Sequence, residues 1–186
     1  YGLLVGIGGG VPANTEHGMI RLGHVVVSEA TGIYPGTIQY DHGKATAGHF
    51  ERKGCLALPP TALISAAHEV AVRRQRLGYD PIWQDAQRLQ TKPRTRRRFK
   101  FPGAASDHLY QPDYEHQEMG LPCEEAGCDP EQRIVRAIDD VEETFVVVHR
   151  GTIASGELVI KDSKKRDDLA RAHGALCFEM EAAGAL

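Results

Sequence analysis

Between residues 144 and 184 the chain alternates runs suited to strands with runs suited to helices, and no other feature constrains its fold as strongly. Thr144-Phe145-Val146-Val147-Val148 is β-branched and aromatic, ends in His149-Arg150-Gly151, and reads as a buried strand. Thr152-Ile153-Ala154-Ser155-Gly156 reads as a small-residue turn, and Leu158-Val159-Ile160 as another short strand. Residues 166–172 form a charged helix closed by Gly174. Residues 175–178 then lead as a strand into a helix that opens with Glu179-Met180-Glu181 and continues through Ala182-Ala183-Gly184. Strands that alternate with helices specify an α/β fold.

The first half is less regular. Gly2-Leu3-Leu4-Val5-Gly6 reads as a buried strand, entered directly from Tyr1 and so begun mid-fold, which passes into the glycine-rich turn Gly6-Ile7-Gly8-Gly9-Gly10-Val11. Val25-Val26-Val27-Ser28 and Gly36-Thr37-Ile38-Gln39-Tyr40 read as short strands in a hairpin-like pair, separated by a Gly/Pro turn. Pro59-Pro60-Thr61 opens a helix in which Leu63, Ile64, Ala67, Val70 and Ala71 recur at helical spacing, ending near Leu77-Gly78. Residues 79–131 are rich in Pro, Arg and Asp and read as an irregular insertion. Within them Arg94-Thr95-Arg96-Arg97-Arg98 reads as a solvated loop rather than a phosphate site. The expected organisation is one incomplete domain over residues 1–186.

Composition narrows the function classes. With 186 residues, 41% apolar and 25% charged, the chain suits one soluble domain with a sizeable core. A formal charge of -3 gives no overall reason to bind nucleic acid or an anionic membrane. No apolar run approaches the roughly 20 residues of a bilayer span and no signal pattern opens the chain, so a cytoplasmic location is expected. The four cysteines, Cys55, Cys123, Cys128 and Cys177, are too few and too unevenly spaced for a disulfide scaffold. Cys123 and Cys128, with His108 and His116 upstream, approach a zinc pattern but lack a second cysteine pair, so no metal is expected. Cys177 reads as a small core residue.

Glu181 carries the clearest chemistry. It lies among small, buriable residues, where a bare carboxylate is costly unless something donates hydrogen bonds to it. A sugar diol is one such donor; a purely structural buried carboxylate is the alternative. The backbone N–H groups of the glycine turn suit an anion or a sugar hydroxyl, or simply a tight turn. They do not match the dinucleotide fingerprint, because its third glycine would fall at Val11, and no Gly-Lys-Ser/Thr of a Walker loop follows. Ser155 and Gly156 lie about one βαβ unit before Glu179, so both segments can reach one sheet edge. There the backbone of Val159 and Ile160 can hold a flat base, unless residues 154–156 are only a turn.

These segments together resemble the nucleoside phosphorylase and nucleosidase family, most closely its divergent domains in large fungal multidomain proteins. The pieces, in order, are Gly6-Ile7-Gly8-Gly9-Gly10-Val11-Pro12, Ile20-Arg21-Leu22-Gly23-His24-Val25-Val26-Val27-Ser28, Gln39-Tyr40-Asp41-His42-Gly43-Lys44, Ile153-Ala154-Ser155-Gly156, Val159-Ile160-Lys161-Asp162, Arg166-Asp167 and Cys177-Phe178-Glu179-Met180-Glu181-Ala182-Ala183-Gly184. The resemblance implies a three-layer α/β/α fold around a mixed, partly closed sheet, and cleavage of the N-glycosidic bond of a purine nucleoside. By it, Met180 lines the ribose pocket and Glu181 accepts hydrogen bonds from the ribose 2′- and 3′-hydroxyls, with Glu179 beside them. Val159 and Ile160 border the base, with Ser155 and Gly156 at the same pocket, while Gly8 and Gly9 lie near the ribose and the nucleophile. The general acid that protonates the leaving base is expected on a strand beyond Leu186. No cofactor is implied, though phosphate is a possible co-substrate. The implied partners are the nucleoside, further copies of the chain as a homo-oligomer, and fused domains.

The chain departs from the family at His24, where aspartate is usual, at Met19, where another aspartate is common, and at Val159, which replaces an aromatic of bacterial nucleosidases. No arginine is convincingly placed for phosphate, and Arg21 equally suits an ion pair on a strand edge. The expectations are therefore nucleoside cleavage, by water or phosphate, or a degenerate nucleoside-binding module of a larger protein. A Rossmann-type oxidoreductase fits poorly.

Overall fold

The computed structural model describes residues 2–91, 103, 106–136 and 146–185. It is a mixed α/β structure. Its sheet is built on β8 (Val148–Ser155), with β9 (Ala175–Glu179) running parallel along one stretch. β4 (Val25–Ser28) pairs in parallel with residues 148–151 of β8, and β5 (Thr37–Gln39) in parallel with residues 153–155. β1 (Gly9–Gly10) closes the order β1-β9-β8-β4 by pairing antiparallel to β9. Two small antiparallel pairs stand apart: β2 (Asn14–Thr15) with β3 (Gly18–Met19), and β6 (Gly43–Thr46) with β7 (His49–Arg52).

Strand β8 is central because its residues are small enough to be covered from several sides. Thr152, Ala154 and Ser155 are fully buried, which is the pattern of a strand flanked on both edges. The core around it gathers Val11, Ile38, Tyr40, Ala154, Ala170, Ala175 and Phe178, with Ile160 and Leu169 packed against them. Tyr40 meets Phe178 edge to face, with ring centroids 5.5 Å apart.

Helices α1 (Thr61–Arg76), α2 (Pro81–Thr91), α3 (Ser163–His173) and α4 (Ala182–Ala185), with a single 3-10 turn at Pro130–Gln132, complete the described elements. Helix α3 has sharp boundaries for local reasons: the Asp162 side chain accepts from the Lys165 amide at 3.0 Å, and Gly174 ends it with φ +62°. Helix α2 starts at a proline preceded by Asp80, whose carboxylate accepts from the Ile82 amide at 3.0 Å. Among the described residues no helix is long and apolar enough to cross a membrane.

Several sequence expectations are corrected. Residues 2–6 are exposed and form no strand, because no described strand lies alongside to take up their backbone groups. The β4 and β5 segments are strands as expected but not a hairpin, since each runs parallel to successive stretches of β8. Thr152-Ile153-Ala154-Ser155 belongs to β8 rather than a turn, because β5 and β9 pair with it. Residues 158–160 form no strand; Leu158 is exposed and its carbonyl accepts from the Tyr40 hydroxyl. Residues 79–131 are not uniformly irregular, since α2 lies within them. The arginine run at 94–98 and residues 144–145 fall outside the described residues.

Candidate functional site

The C-terminal ends of β8 and β9 place two polar side chains next to each other. Ser155 and Glu179 are register partners in the parallel pair, and Gly156 donates its amide to the Glu179 carbonyl at 3.1 Å. Ser155 Oγ is fully buried and accepts from the Ala183 amide at 2.9 Å. Glu179 Oε2 accepts from the amides of Glu181 and Ala182, at 3.0 and 2.9 Å. The two side chains thus take up the first free N–H groups of α4. Glu179 Oε1 is buried and has no hydrogen-bond partner. A buried acceptor without a donor costs free energy that a hydroxyl ligand can recover.

Glu181 is exposed, contrary to the buried position expected for it. Helix α4 begins one residue later, and Ala182 takes the inward position. Glu181 Oε2 accepts from the Met180 amide at 3.1 Å, and Met180 itself is about half exposed.

The glycine turn passes along this same edge. A Cβ at Gly8 would lie 2.9 Å from the Phe178 carbonyl oxygen and 3.6 Å from Cys177 Sγ. Glycine at 8 therefore lets the turn lie directly on β9. A Cβ at Gly6 would lie 3.9 Å from Glu181 Oε2, while Gly9 pairs with Phe178 and faces open space. Burial, and then the charge of Glu179, push the Cys177 thiol up to about 11, so it stays neutral and acts as packing.

The fold therefore brings together Gly8, Gly9, Ser155, Glu179, Met180 and Glu181. It treats the remaining expected residues differently. Ile160 packs against the core, whereas Val159 is exposed. Gly156 is demanded by packing, since a Cβ there would lie 2.5 Å from the Tyr40 ring. Asp41, which carried no expected role, fixes the following residue by accepting from the Glu157 amide at 2.7 Å.

A second polar cluster was not foreseen. His149 is fully buried, with Nδ1 2.8 Å from Thr15 Oγ1 and Nε2 2.8 Å from His24 Nδ1. His24 Nδ1 also accepts from the Arg21 amide at 3.2 Å, so an imidazole supplies the turn contact at this position. Burial, reinforced by His24 and His17, lowers His149 to about 4. Burial and then Arg21 lower His24 as well. Its sequence signal was the β8 run itself, which hides a histidine at a core position. Arg21 pairs with Asp107 at 3.6 Å, and both line a cavity of about 230 Å³ with His108, Arg133 and Arg136. That cavity shares no lining residue with the Ser155–Glu179 edge.

The chain is similar to a nucleotide-binding leucine-rich repeat (NLR)-like protein of Hyaloscypha variabilis, with 34% identity over 186 residues. The alignment covers 99% of this chain and 17% of that protein, so the chain spans about one sixth of the relative's length. No family model matches the chain. No solved structure matches it.

Proposed function

We propose that the Ser155–Glu179 edge is the ribose-binding end of a three-layer, phosphorylase-like domain that cleaves the N-glycosidic bond of a purine nucleoside. The observation that carries this reading is the buried, donorless Glu179 Oε1 beside an exposed Glu181 and the glycines Gly8 and Gly9, which present no Cβ. Ribose hydroxyls are donors of the kind that such oxygens need. Glu181 grips the 2′- and 3′-hydroxyls and Met180 covers the sugar. The turn at Gly8 and Gly9 leaves backbone N–H groups near the attacking water or phosphate.

The chemistry follows from charge. Breaking the C–N bond builds positive charge on the ribose ring, and a fixed carboxylate holding its hydroxyls interacts more strongly with that transition state than with the ground state. The leaving base also needs a proton from a general acid.

A second reading, a nucleoside-binding module within a larger multidomain protein, is favoured by the similarity to a stretch making up 17% of an NLR-like protein. Incubation with adenosine or inosine, with and without phosphate, separates the two. Release of free base supports cleavage, and ribose 1-phosphate identifies phosphate as the nucleophile. Calorimetric binding without base release supports the module.

A further inference from the structure

Residues 106–136 are a loop-rich excursion with little core of their own. Among those described, Cys128 alone is buried, and their order rests on polar contacts: the isolated bridge between Tyr110 and Arg133, the Gln111 amide to the Gln132 carbonyl, and the Ile134 amide to the Leu109 carbonyl. Small units that cannot bury a core are commonly closed by a disulfide or a metal ion. Cys123 and Cys128 are both free thiols, so no disulfide closes this one.

The fold nevertheless converges three ligand atoms there. His116 Nδ1 lies 3.2 Å from Cys128 Sγ and 3.9 Å from Cys123 Sγ, and the three atoms all lie within 4.8 Å of one another. A tetrahedral zinc ion with ordinary Zn–S and Zn–N bonds separates its sulfur and nitrogen ligands by about 3.6 Å, between the two observed distances. The turn that aims the thiols is built for it: Ala126 donates to the Pro122 carbonyl, Cys128 donates to the Cys123 carbonyl at 3.0 Å, and Gly127 reverses the chain with φ +71°.

The histidine is oriented for the same purpose. Its Nε2 lies 3.1 Å from the Leu121 carbonyl oxygen, which can only accept, so the ring proton sits on Nε2. That tautomer leaves the Nδ1 lone pair pointing at the two sulfurs, the outer-shell arrangement of metal-bound histidines. We infer that His116, Cys123 and Cys128 form a three-ligand zinc site that closes residues 106–136, with the fourth position left to water on the side where His116 is exposed. Thiolate ligands favour zinc over the harder divalent ions. The missing second cysteine pair, which argued against metal in the sequence, is offset by the histidine seven positions before Cys123.

The test uses the intact chain under reducing conditions. Metal analysis after purification and desalting should find one zinc per chain, and cobalt substitution should give thiolate-to-metal charge-transfer absorption. Zinc should protect Cys123 and Cys128 from alkylation while exposed Cys55 reacts, and a chelator should abolish the protection. C123S, C128S and H116A should each weaken zinc binding by roughly two orders of magnitude, and C55S should not. A wild-type chain that retains no zinc, shows no protection, or carries a Cys123–Cys128 disulfide would overturn the site. So would zinc retention by C123S and C128S equal to that of the wild-type chain.

Discussion

Ser155 and Glu179 face each other across the β8–β9 pair and together satisfy the amides of Glu181, Ala182 and Ala183. Two strands thus hand over to one helix through two side chains, which fixes where Glu181 leaves the sheet.

Ser155→Ala should lower stability by about 1 kcal/mol, the usual cost of losing a helix-capping hydroxyl. Denaturant unfolding at neutral pH checks this, and an unchanged midpoint would mean that Ser155 does not anchor α4.

The glycine turn predicts a contrast between neighbours. Gly8→Ala must push against the Phe178 carbonyl and should cost roughly 1–3 kcal/mol, whereas Gly9→Ala meets nothing within 4 Å and should be close to neutral. Thermal unfolding of both variants decides it.

Asp80 is 2% exposed, receives the Arg74 guanidinium in a forked pair at 3.0 and 2.6 Å, and accepts from the amides of Ile82 and Val146. Burial opposes its ionisation, but Arg74 and the two amides outweigh it and hold the carboxyl below its ordinary range. Asp80→Ala strands the Arg74 charge and should destabilise by about 3–5 kcal/mol, read from the urea midpoint.

His149 gives stability a pH dependence of known sign. The unfolded imidazole takes up its proton near 6.5 and the folded one only near 4, so the unfolded chain binds more protons between those values. The stabilisation is full above pH 6.5, falls as the pH drops, and is gone by about pH 4. Unfolding midpoints across that window should slope in wild type, and the slope should shrink in His149→Gln.

Much of the fold was legible where local signals agreed. Asp162 and Gly174 bracket α3, the apolar spacing from Leu63 to Ala71 marks α1, and the valines of β4 and the residues of β9 read directly as strands. The failures share a cause, which is that strand identity depends on neighbours. Leu158-Val159-Ile160 has strand composition but no partner, while Thr152-Ile153-Ala154-Ser155 looks like a turn and becomes the sheet centre because β5 and β9 flank it. At the site, the pairing of Ser155 with Glu179 followed from the βαβ logic, and the place of Gly8 beside them from the family resemblance. The placement that buries Glu179 Oε1 and exposes Glu181 did not, because it turns on the residue at which α4 begins.

Calorimetry of adenosine or inosine against wild type and Glu181→Ala, with circular dichroism on both, tests the central proposal most directly. Saturable binding by wild type is predicted, with a loss of roughly 10–100-fold in the variant, the worth of hydrogen bonds to one charged group, and unchanged dichroism. Equal affinity in the two proteins, or no binding by wild type, would contradict it.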